Sequence, residues 1–169
     1  MPALGVQIDR VGRPAIGTAL METFNGDDIA KGAAKDGYNA EDDQSKWSGF
    51  VPNFMGSLAI LDALDGNCGN QFGADLGNDR YAFMAGVFAD DQLYINSESG
   101  DCTQYLGVEL DAVLGTTNGC GGRTLSYDVI ETSYSALAAG VLTGVDDTIA
   151  ADADCTQSNS SFPFVCAPQ

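Results

Sequence analysis

Asn53-Phe54-Met55-Gly56-Ser57-Leu58-Ala59-Ile60-Leu61-Asp62-Ala63-Leu64 is the most regular stretch of the chain. Phe54, Met55, Leu58, Leu61 and Leu64 recur every three or four residues, which is the period of one helix face. The spacing predicts a helix over 53–64. Such an apolar stripe belongs to a core more readily than to a ligand pocket, so the rest of the chain should be organised around it.

Working outward, the helical period recurs. Towards the N-terminus, Asp27-Asp28 can cap a short helix through Lys35, and Pro14 suits the first turn of a helix carrying Ile16, Leu20, Met21 and Phe24. Gly37 to Ser48 is polar and rich in turn residues. Before these, Gly5 to Val11 alternates with Val6 and Ile8 on one side, the pattern of a short strand. Towards the C-terminus, Asp65 to Asn78 reads as a Gly- and Asn-rich loop, and Asp79 to Phe88 as a helix. Gln92-Leu93-Tyr94-Ile95-Asn96 is a second strand. Thr103 to Leu114 fits the helical period better than period two. Gly119 to Gly122 is a break, and Ser126 or Asp128 caps a helix to about Ala139. The expected architecture is mainly α with one or two short strands or hairpins, in one compact, loop-rich, disulfide-braced domain over 1–169. Its 143–169 tail, acidic and then Phe/Pro-containing, should pack on the body.

Length and composition agree with a folded domain: 169 residues, 44% hydrophobic, with 8 Phe, 6 Tyr and Trp47. No apolar run reaches the ~20 residues of a membrane span. The charge excludes more. Seven basic residues oppose 24 acidic ones, giving −17. A surface of that sign repels nucleic-acid backbones and anionic lipid. Without histidine there is no Ser-His-Asp triad, Cys-His pair or His-ligated zinc.

Cys68, Cys102, Cys120, Cys155 and Cys166 show no CxxC spacing and lie among Gly, Asn, Asp, Ser and Thr. Thiols in polar loops point to disulfides and an oxidising compartment. Sequence alone does not choose among the pairings. Cys102–Cys120 and Cys155–Cys166 close the shortest plausible loops and are the expected bridges, with Cys68 free or paired to another chain. The first residues lack the basic and apolar regions of a secretion signal, so an exported chain is expected to be either a mature form or one from which the leader has been taken off.

Gln7-Ile8-Asp9-Arg10-Val11-Gly12-Arg13-Pro14-Ala15-Ile16 resembles the Gln-Val-x-Arg-x-Gly-x-Pro segment of the bacterial domain-of-unknown-function family 4331. Gly144-Val145-Asp146-Asp147, Asn159, Phe162-Pro163-Phe164 and Ala167-Pro168 are similar to that family's acidic, Phe-Pro-aromatic ending. Cys120-Gly121-Gly122-Arg123, leading into Asp128-Val129-Ile130, is similar to its last helix. The resemblance covers the C-terminal half of a typical member, and Gly17 stands where members often carry Asn. It implies a secreted or envelope-associated bacterial protein and carries over no catalytic residue.

Three chemistries remain to be weighed. Asp146, Asp147, Asp152 and Asp154 are the metal candidates, because calcium takes six to eight oxygen ligands from such loops, although the register is not that of an EF-hand. Asp36, Asn39, Glu41, Asp42 and Asp43 form a weaker cluster of the same kind. Glu109 and Glu131, in otherwise apolar stretches, are the candidates for a hydrolytic acid pair. The scarce Arg10, Arg13, Arg80 and Arg123 sit near element boundaries, where planar guanidinium forks suit structural bridges to Asp9, Asp79 or Asp128. The leading expectation is a non-catalytic periplasmic, cell-surface or secreted domain that binds protein partners in a larger assembly. It needs no cofactor. The alternatives are a calcium-stabilised binding module and a carboxylate-dependent hydrolase.

Overall fold

A computed structural model describes residues 5–71, 73–100, 102, 104–116, 119–124, 127–137, 148 and 162. Six α-helices run through them: α1 (Ile16–Leu20), α2 (Asp28–Ala40), α3 (Val51–Asp62), α4 (Ala82–Ala89), α5 (Gly107–Leu114) and α6 (Val129–Leu137). Short 3-10 helices, Gln44–Phe50 and Ala63–Asp65, flank α3. The fold is mainly helical, as the periodicity requires. The chain divides into two compact units, one of Met1–Gln92 with Ser133–Val145 and one of Leu93–Thr132 with Asp146–Gln169.

In the first unit, α3 is the central element. Phe54 and Leu58 are buried, together with Ile16 and Leu20 of α1, Tyr38 of α2 and Met84, Ala85 and Phe88 of α4. Ser57 would be an orphan polar group in that packing, but its hydroxyl donates to the Leu20 carbonyl at 2.7 Å, which ties α3 to the end of α1. Pro52 occupies the first turn of α3, where its missing N–H costs nothing. Asp27 caps α2, its carboxylate accepting from the amides of Ile29 and Ala30.

Several boundaries differ from expectation. The helix expected to end at Lys35 continues to Ala40, because burial of Tyr38 against α3 outweighs the low helix propensity of Gly37. The helix expected from Pro14 to Phe24 is reduced to Ile16–Leu20. Ala15 before it is left-handed at φ 63°, and Met21 after it is extended. Residues 5–11 form neither helix nor strand.

In the second unit, the strand expected over 92–96 is reduced to one antiparallel bridge between Ile95 and Gly121. The Asn96 amide donates to Cys120 O at 2.7 Å, and the Gly122 amide donates to Tyr94 O at 3.0 Å. Tyr105 is buried and packs at a tilt against Tyr127, with ring centroids 6.1 Å apart. Cys102 and Cys120 form a disulfide in the same unit. Asp128 accepts from the Glu131 amide at 3.1 Å and so starts α6.

Candidate functional site

The Arg-x-Gly-Arg-Pro segment lies against the C-terminal end of α4. The last carbonyls of a helix lack intrahelical donors and carry the negative end of its dipole, so cations are favoured there. Arg10 Nη2 donates to Ala89 O at 3.0 Å, and Arg13 Nε donates to Asp90 O at 2.9 Å. Beyond the helix, Asp91 receives both residues: Arg10 Nε lies 3.3 Å from its Oδ2, and the Arg13 amide donates to its Oδ1. The Arg10 and Asp91 side chains are 2% and 1% exposed. A Cβ on Gly12 would sit 2.2 Å from the Asp91 carbonyl oxygen, so only glycine lets the chain approach this closely.

Aromatic rings seal the arrangement. The Arg10 guanidinium carbon lies 4.2 Å from the Tyr38 ring centroid and 3.9 Å from that of Trp47. Phe50 meets Tyr38 edge-on at 5.1 Å. Burial pushes the Asp91 carboxyl above its ordinary range, against the opposing pull of the Arg13 amide and the two guanidinium groups. Burial, followed by the nearby Asp91 charge, likewise pushes the Tyr38 hydroxyl well up.

A second buried carboxylate organises the loop after α3. Asp62 is 1% exposed. Its oxygens accept from the Gly69 amide, from the Gln71 amide at 2.8 Å and from the Tyr81 hydroxyl at 2.6 Å. Burial alone would raise this carboxyl, but these three hydrogen bonds and the nearby Arg80 charge hold it below its ordinary value. Tyr81 moves the other way, pushed up to about 12 by burial and by its bond to Asp62. The Gln71 side chain donates onward to Leu137 O, which links the loop to the end of α6.

Both buried carboxylates are taken up by the chain's own donors. Asp91 is enclosed by two arginines, and Asp62 by donors from its own loop. Two grooves in the first unit enclose about 340 and about 230 Å³. Glu22 is the acid lining the larger groove and Asp9 the acid lining the smaller, so neither groove pairs two carboxylates. Glu109 and Glu131 stand in the first turns of α5 and α6.

The metal candidates Asp146, Asp147, Asp152 and Asp154 lie outside the described residues, as do Cys155 and Cys166 and most of the 143–169 tail. Among the described residues no group of three or more Cys, Asp or Glu could hold a metal ion. That includes the cluster at Asp36 to Asp43, where Glu41 and Asp43 share Lys46 at 3.3 Å each. Cys68 is exposed and free. Arg80 pairs with Asp75 at 2.9 Å rather than with Asp79, and Arg10 pairs with Asp91 rather than with Asp9. Arg10 reaches across the fold to an acid far from it in sequence, whereas Arg80 takes an acid five residues away instead of its neighbour. Arg123 follows the Gly121-Gly122 turn in the second unit. Gly17 has a steric reason: a Cβ there would lie 2.8 Å from two Tyr38 ring carbons, so Asn at this position would displace a buried ring. Among the described residues no helix is long and apolar enough to cross a membrane. In comparisons with known proteins, no family model, curated protein or solved structure matches the chain.

Proposed function

We propose that this chain is a non-catalytic, extracytoplasmic bacterial domain that binds protein partners within a larger envelope or extracellular assembly, related to family 4331 through its Gln7–Ile16 segment. One observation carries the reading: the buried carboxylates Asp62 and Asp91 are both engaged by the chain's own donors. A general acid or base needs a lone pair or proton facing a space where substrate can sit. The Cys102–Cys120 disulfide is compatible with an oxidising compartment. Cross-linking in native material followed by mass mapping tests both parts. The reading requires specific cross-links to other polypeptides and an oxidised Cys102–Cys120 pair. A monodisperse monomer with reduced thiols in freshly isolated material would contradict it.

A further inference from the structure

α3 is apolar on its outer side as well as on the side that faces the core. Its single ionisable residue, Asp62, is turned inward. The exposed residues of α3 are Pro52, Gly56 and Ile60, a row at four-residue spacing that Leu64 continues past the helix end. A surface helix ordinarily carries charged residues on its outer face, whereas one that is apolar all round belongs in an interior. Beside this row runs the larger groove of the first unit, of about 340 Å³, walled on its other side by Glu22, Phe24 and Asn25. Phe24 and Ile60, one on each wall, are both 44% exposed. The walls are tied together in advance. Ser57 donates to Leu20 O at 2.7 Å, and the Asn25 amide closes a turn on Glu22 O at 3.0 Å. Gly56 keeps the groove open, since a Cβ there would meet no atom within 4 Å. A preformed groove of this size, lined by apolar groups and a few polar ones, has the ordinary form of a binding site.

The acid in the groove selects the occupant. Glu22 Oε2 accepts from Asn25 Nδ2 at 3.3 Å, and among the described residues no cation pairs with it. The chain's own cations are engaged elsewhere. Arg10, Lys31, Lys46 and Arg80 pair with its acids, and Arg13 and Lys35 donate to the Asp90 and Thr18 carbonyls. A second copy would bring those same engaged cations and a further −17 of charge, and would be repelled. We propose that the groove between α3 and the turn at 22–25 takes up a segment of a different polypeptide in which a large apolar residue stands next to a Lys or Arg. The apolar side chain is buried between Phe24 and Ile60, and the cation pairs with Glu22. This rests on the binding reading above and assigns it a surface and a partner chemistry.

The acetylated and amidated dipeptide Phe-Lys is a sufficient probe, with the amide chemical shifts of the full chain as the readout. The expected result is saturable shift changes confined to residues 22–25 and 52–60. Replacing the probe's Phe by Ala removes the buried anchor and should weaken binding by about tenfold or more. Replacing its Lys by Gln, or Glu22→Gln in the chain, should weaken binding by about two- to fivefold, the range for a partly exposed ion pair. Gly56→Leu fills the groove from an exposed helix position, and should abolish the shift changes while leaving the melting midpoint unchanged or higher. Equal binding of the Phe and Ala probes, or shift changes spread over the acidic surface, would show diffuse charge attraction and overturn the proposal. Undiminished binding to Gly56→Leu would overturn it too. Concentration-dependent shift changes at the same residues without any peptide would assign the groove to a second copy instead. Cross-links in native material that persist in Gly56→Leu would overturn this surface while leaving the binding reading in place. Lack of any native cross-link would remove the binding reading itself.

Discussion

Arg10 illustrates how much a single side chain does in this protein. It neutralises Asp91, closes the end of α4 and stacks between Tyr38 and Trp47. Replacing it by Met should cost about 3–5 kcal/mol, the range for breaking one side of a buried pair, as measured by denaturant unfolding. Arg10→Lys keeps the charge but loses the planar fork and the stacking, and should recover less than half of that loss. Gly17→Ala tests the packing directly. Its new methyl would meet a Tyr38 ring already hemmed in by Phe50 and Phe54, at a cost of about 1–3 kcal/mol in the same assay. The two buried acids should respond oppositely to pH. Folding lowers the Asp62 carboxyl, so its contribution is present above the ordinary value of 3.8 and is lost as pH falls through the folded value. Folding raises Asp91, so its ionisation opposes folding, and that penalty disappears on acidification. Unfolding free energy should therefore hold level or rise as pH falls towards the ordinary carboxyl value of 3.8, and then fall below it as Asp62 protonates.

At the scale of elements, the helix periods of α3, α4 and α5 were legible because several apolar residues repeat over two or more turns. The ends were not legible, because tertiary contacts set them. Tyr38 carries α2 through Gly37, and the arginine contacts with Asp91 end the irregular segment that precedes α1. Asp62 was legible only as an interruption in an apolar stripe, since its three donors lie 7 to 19 residues further along the chain. The same limit applies to Arg10 and Asp91, which are far apart in sequence. Cys102–Cys120 was readable because its loop is short, with a sequence separation of 18. Reduction of this bridge should destabilise the second unit by about 3 kcal/mol, on a loop-entropy model, seen as an earlier loss of Tyr105 and Tyr127 fluorescence on denaturation.

At the scale of the whole molecule, net charge is the dominant property. With −17 on 169 residues, self-repulsion opposes folding, and raising the salt concentration should raise the melting midpoint before any ion-specific effect is considered. Chelator separates bracing from metal binding. A cation at 100 times its dissociation constant would add ~2.7 kcal/mol, so an unchanged midpoint is expected if the acids coat and brace the fold without an ion. The buried carboxylates Asp62 and Asp91 hold the structure together through the donors they satisfy. Carboxylates kept for chemistry are usually strained, and their replacement tends to stabilise a protein. Carboxylates that satisfy buried donors do the opposite. The most direct measurement is the unfolding free energy of Asp62→Ala and Asp91→Ala against the parent chain at neutral pH. Asp62→Ala should lose about 2–4 kcal/mol and Asp91→Ala should lose stability as well; equal or greater stability in either variant would show that these acids do not hold the fold together.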